Sequence, residues 1–115
     1  MKLITETQRA VLIENARKVD FGFDAMELRP TVKLFYPAGA ATWLLAYLLP
    51  EDDNIVWGLA DLGLGCPETG DIYLPELIEF RDKVGLGIER DLYFTAKKTM
   101  REYYEEARRA GAIRA

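Results

Sequence analysis

The chain contains no histidine. That excludes an imidazole base for a serine or cysteine nucleophile, and every histidine-ligated metal centre. It has one cysteine, Cys66, so an internal disulfide and a four-cysteine zinc site are both excluded. Cys66 has no imidazole to activate it and precedes Pro67, and it reads as an inert thiol. Long apolar runs are missing too. The stretch Ala38–Leu49 is interrupted by Thr42 and fenced by Pro37 and Pro50, well short of the roughly 20 residues a membrane helix needs. No apolar run follows the charge of Met1–Glu6, so no signal peptide is expected. No Gly-Lys-Ser/Thr phosphate loop is present, and Gly63-x-Gly65 lacks the third glycine of a dinucleotide fingerprint. The expectation is a cytoplasmic protein with no membrane segment, no cofactor and no metal. Any catalysis would rest on carboxylates, lysine, tyrosine or Cys66, which leans the reading away from an enzyme.

What is present is enough for a core. Of 115 residues, 50% are hydrophobic and 11% aromatic, which points to one folded domain over residues 1–115 rather than a disordered chain. A chain of this size buries about two-thirds of its unfolded surface and needs no disulfide or metal staple. The net charge of -4 is unevenly spread. Residues 51–82 carry nine acids and a single base, Arg81, whereas residues 90–115 carry seven bases and four acids. This polarity bears on partners rather than on fold.

Local patterns outline the elements. Thr5-Glu6-Thr7-Gln8 is a capping box, and Leu12, Ala16 and Val19 follow at helical spacing up to Gly22. Gly22–Thr31 reads as a flexible connection. Thr31–Tyr36 is β-branched and aromatic between two prolines. Thr42–Leu49 puts Trp43, Leu45, Tyr47 and Leu49 on one face by strict alternation, and Leu44, Ala46 and Leu48 on the other. Apolar on both faces, it predicts a central strand. A polar turn over Pro50–Asn54 leads to a third strand, Ile55–Leu62, and a fourth is expected at Asp71–Leu74. Pro75 suits a first helical turn, with Leu77, Phe80 and Val84 on one face and Gly85 as the stop. Ile88–Phe94 is a candidate edge strand. Thr99-Met100-Arg101-Glu102 is a second capping box, opening a helix whose stripe is Met100, Tyr103, Tyr104 and Ala107. The order α-β-β-β-β-α-β-α lacks regular βαβ alternation. It predicts an α+β fold: an antiparallel β-meander of four to five strands with three helices.

Candidate functional residues concentrate in one loop. Gly63-Leu64-Gly65-Cys66-Pro67-Glu68-Thr69-Gly70 lies between two predicted strands. Its glycines allow close approach of a ligand or partner chain. Asp61, Gly63, Gly65, Glu68 and Asp71 are the candidate binding residues, with the three acids facing one spot. The bland reading is a tight strand connection. The acids match no calcium-loop spacing, and Glu76 at a helix start is explained by the helix dipole. Trp43 and Trp57, with Tyr36 and Tyr47, could stack bases from a sheet face, but such aromatics are more often core and no basic surround accompanies them. Arg101, Arg108 and Arg109 on the last helix are expected to pair with Glu102, Glu105 and Glu106 at helical spacings.

Several separated blocks resemble one family. They are Val32-Lys33-Leu34-Phe35, Thr42-Trp43-Leu44-Leu45, Gly58–Gly65, Cys66–Gly70, Leu74-Pro75-Glu76-Leu77 and Gly87–Phe94. In this order, over nearly the whole chain, they resemble the bacterial family called domain of unknown function 2958. One local departure is Pro75, where a small residue is usual. The resemblance implies a small accessory protein of plasmids, integrative elements and phages, found near anti-restriction and DNA-transfer genes. It implies no catalytic residue set.

The function expected is therefore a non-enzymatic protein-interaction module of a mobile genetic element, with an anti-restriction or anti-defence role among the options. An unidentified protein is the expected partner. A carboxylate-based enzyme or small-ligand binder at Asp61–Glu76 is the alternative, requiring a concave site and a perturbed carboxylate. Nucleic-acid binding through the C-terminal basic helix is less favoured.

Overall fold

The computed structural model describes residues 2–115. Along the chain run α1 (Glu6–Asp20), a 3-10 turn (Ala25–Glu27), β1 (Val32–Phe35), β2 (Thr42–Leu49), β3 (Asp52–Asp61), β4 (Glu68–Tyr73), α2 (Leu74–Glu79), β5 (Glu89–Arg90) and α3 (Met100–Ala110). The fold is α+β, in the expected order. Threonine caps the start of both long helices. The Thr5 hydroxyl accepts from the Gln8 amide at 3.0 Å, and the Gln8 side chain accepts from the Thr5 amide at 2.9 Å. Thr99 and Glu102 repeat the arrangement on α3, which ends at Gly111 in the left-handed region.

The five strands form one antiparallel sheet in the order β4-β3-β2-β1-β5. β1 to β4 are a plain meander, and the chain returns through α2 to lay the two-residue β5 on the far edge. Helices cover both faces. Leu12 of α1 and Leu74 of α2 join a core with Val32, Leu34, Trp43, Leu45, Leu48, Val56 and Ile72. Met100, Tyr103 and Ala107 of α3 join a second core on the opposite face, with Leu28, Leu44, Ala46 and Leu59.

Strict alternation along β2 does not survive. Leu45 pairs with Gly58, but Tyr47 pairs with Trp57, so Ala46 is an extra residue without a partner in β3. This bulge inverts the side-chain faces beyond it. Leu48 therefore joins Trp43 and Leu45, and Tyr47 turns to the α3 face. Two residues make the bulge possible. Asn15 of α1, itself buried, donates from Nδ2 to the Ala46 carbonyl at 2.9 Å. Gly58 leaves the room that the bent strand requires, since a Cβ there would lie 2.1 Å from the Leu44 carbonyl oxygen.

Other expectations also need correction. The Gly22–Thr31 connection is tied down rather than loose. Asp24 caps its 3-10 turn, Leu28 is buried, the Leu28 carbonyl accepts from the Met100 amide, and Arg101 of α3 holds both Asp24 and Glu27. β3 starts at Asp52, inside the stretch expected as a turn. β4 starts at Glu68, earlier than expected. α2 stops at Glu79, so Phe80 and Val84 do not continue a helical face and both are exposed. Beyond the helix the chain turns around Asp82. Its carboxylate accepts from the Val84 and Leu86 amides and, at 2.5 Å, from the Tyr36 hydroxyl. These bonds hold the Asp82 carboxyl below the usual carboxylate range, the Tyr36 bond most of all.

Candidate functional site

The β3–β4 loop is anchored at both ends. Asp61, the last residue of β3, sits opposite Thr42 and is only 2% exposed. Its Oδ1 accepts from the Gly63 amide at 2.8 Å, and its Oδ2 accepts from the Ile113 amide at 2.9 Å. Both oxygens are thus engaged, and Asp61 ties the loop to the segment after α3. Pro67 is fully buried at the other end. Gly63 and Gly65 have φ of 80° and 85°, a region that side-chain-bearing residues rarely adopt. Between these fixed points the chain turns outward. Leu62 is 61% exposed and Leu64 79%, with Cys66 exposed beside them.

A family model described as Protein of unknown function (DUF2958) matches residues 3–114. The chain belongs to that family. No curated protein and no solved structure matches it.

The three acids expected to face one spot are not brought together. Asp61 is buried and committed to backbone amides. Glu68 is the neighbour of Ala60, on the α1 and α2 face of the sheet, whereas Asp71 is the neighbour of Trp57, on the α3 face. Among the described residues no group of three or more histidine, cysteine, aspartate or glutamate side chains is arranged to hold a metal ion. A cleft of about 730 Å³ lies between the start of α1, α2 and β5, floored by Leu3, Ile4 and Ile88. Another, of about 580 Å³, lies beside β1 and β5 and includes Tyr36 and Tyr93. Asp61, Glu68, Asp71 and Glu76 line neither.

The two tryptophans do not share a face. Trp43 is buried in the α1 and α2 core, and Trp57 lies on the α3 side. There Trp57 stacks on Tyr47, with ring centroids 5.4 Å apart and planes 20° from parallel. Tyr47, Trp57 and Asp71 form one cross-strand row. Burial raises the Tyr47 phenol pKa, and the Asp71 and Glu51 carboxylates raise it further. Strict alternation would have set Tyr47 beside Trp43, so the sequence hid this row. Its one signal was Gly58 in the middle of an otherwise bulky strand.

Arg101 and Arg108 of α3 are engaged, though not with the glutamates that helical spacing suggests. Arg101 reaches Asp24 at 2.8 Å and Glu27 at 2.7 Å, Glu106 takes Lys98 at 2.9 Å, and Arg108 donates to the Tyr104 hydroxyl at 2.7 Å. Glu102 is occupied by its own cap.

Proposed function

We propose that the protein is a cytoplasmic, non-enzymatic protein-interaction module that docks a partner at the β3–β4 end of its sheet. The observation that carries the reading is the anchored loop. Two large apolar side chains, Leu62 and Leu64, stand in water on a segment held at Asp61 and Pro67. Exposed leucines on a rigid mount bury apolar area on binding with little ordering cost, which is what a recognition loop requires. Glu68, exposed at the start of β4, borders the loop, and Asp71 follows within the strand; both set the sign of charge for the partner. An accessory role on mobile genetic elements, directed at a host or element-encoded protein, accords with the family resemblance; an anti-restriction role is one form of it.

The test is affinity capture from a bacterial lysate with and without nuclease, comparing the natural chain with a Leu62→Ser, Leu64→Ser double variant. Both side chains are exposed, so the variant keeps its fold. A protein retained by the natural chain and lost by the variant supports the reading. Equal retention by both removes the loop as the docking site, and loss of all retained material on nuclease treatment replaces a protein partner with nucleic acid.

A further inference from the structure

β4 is an edge strand whose only neighbour is β3. Among the described residues, no backbone hydrogen bond runs from Glu68–Tyr73 on the side away from β3. An open row of amides and carbonyls of this kind is a template for one more strand. At the opposite edge, β5 is only two residues long, so β4 is the longer template.

We propose that β4 takes an extended, lysine- or arginine-rich segment of a partner protein as a sixth strand. This rests on the interaction-module reading and names the surface and chemistry of the partner. The alternation of β4 dictates the pattern required. Thr69, Asp71 and Tyr73 neighbour Leu59, Trp57 and Ile55 on the α3 face, while Glu68, Gly70 and Ile72 neighbour Ala60, Gly58 and Val56 on the other, with Glu68 at the strand's start. A residue added beside Asp71 extends the row Tyr47–Trp57–Asp71. A cation there meets a carboxylate backed by two stacked aromatic rings, with Glu51 close enough to Tyr47 to add to the field. On the other face the added strand meets Ile72, and beside Gly70 there is open space for a branched apolar side chain. Cations alternating with valine-like residues satisfy both faces. A second copy of β4 does not, because its charged side chains are Glu68 and Asp71 alone and it brings no cation to Asp71.

The test uses the full chain and three labelled peptides of six residues, the length of β4. The first alternates lysine and valine, the second replaces lysine with glutamate, and the third keeps the lysines but has proline at a central valine. Binding is read by fluorescence anisotropy, and strand addition by slowed amide exchange over residues 68–73. The lysine peptide is expected to bind and to slow exchange, and the other two to bind at least about tenfold more weakly. Asp71→Lys, an exposed position, is expected to weaken the lysine peptide about tenfold. Equal binding of the proline peptide, or binding without slowed exchange, overturns the proposal in favour of simple charge adhesion. Exchange slowed by raising protein concentration alone also overturns it, with a second copy as the occupant. If the lysine peptide fails while loop-dependent protein capture persists, this inference falls and the interaction-module reading stands; if capture fails as well, both fall.

Discussion

Replacing Asp61 with alanine removes a buried clamp, and the structure sets the size of the loss. Two amides, of Gly63 and Ile113, donate to its oxygens at 2.8 and 2.9 Å. A hydrogen bond to a charged acceptor contributes about 1.5–3 kcal/mol. The cost of drawing a carboxylate out of water opposes the two bonds, leaving a net loss of about 2–4 kcal/mol for Asp61→Ala. Asp61→Asn keeps one acceptor but turns an amino group toward the other amide, so it loses about half as much. With a urea slope of about 1.5 kcal/mol per M, the alanine variant's unfolding midpoint falls by about 1.3–2.7 M. The same substitution frees the Ile113 amide, whose exchange with solvent speeds up before global unfolding. Glu68→Ala, at an exposed site seven residues on, changes stability by less than about 0.5 kcal/mol and serves as the control. An unchanged midpoint and unchanged Ile113 exchange in Asp61→Ala would show that Asp61 clamps neither the loop nor the chain after α3.

Three further outcomes are expected. Asn15→Ala strands the Ala46 carbonyl inside the bulge and destabilises by about 1–3 kcal/mol, measured by urea unfolding. Gly58→Ala forces a Cβ against the Leu44 carbonyl oxygen and destabilises on the order of 3 kcal/mol or more, read as a loss of thermal midpoint or of folded yield. Tyr36→Phe removes the main support of the Asp82 carboxylate, so the Asp82 pKa moves back up toward the ordinary range, as followed by carbon-detected NMR titration. The sign follows from linkage. Because the Asp82 pKa is depressed in the folded state, its stabilisation is present above the ordinary carboxylate pKa and is lost as pH falls through the folded value. The Tyr36→Phe chain should therefore lose part of this acid dependence.

The helix starts were legible because capping is a local transaction. Thr5 with Gln8, and Thr99 with Glu102, carry their own geometry within four residues, and the sequence alone places both helices. The central position of β2 was legible from its two apolar faces, and the antiparallel order from the short connections between runs. The end of α2 was not: Val84 matches helical spacing, yet the chain beyond Glu79 turns around Asp82, which Tyr36 holds from far along the chain. The candidate site divides in the same way. Glycine and proline composition marked the β3–β4 loop, and Gly63 and Gly65 do hold left-handed conformations. Asp61, however, could be read from sequence only as a possible ligand-facing acid. Its burial depends on Ile113, a contact across 52 positions that no local pattern encodes.

Sequence by itself determined the class of fold, the number and order of the main elements, the caps, and the loop that stands out. Each depends on neighbours within a turn or a strand length. Tertiary structure alone decided which faces meet. One extra residue at Ala46, stabilised by Asn15 from another element and permitted by Gly58, inverts the side-chain faces of half a strand and sets Tyr47 beside Trp57. Side-chain alternation has a period of two, so a single unpaired residue is enough to redirect everything after it, and its cost is met only by contacts that exist once the chain is folded.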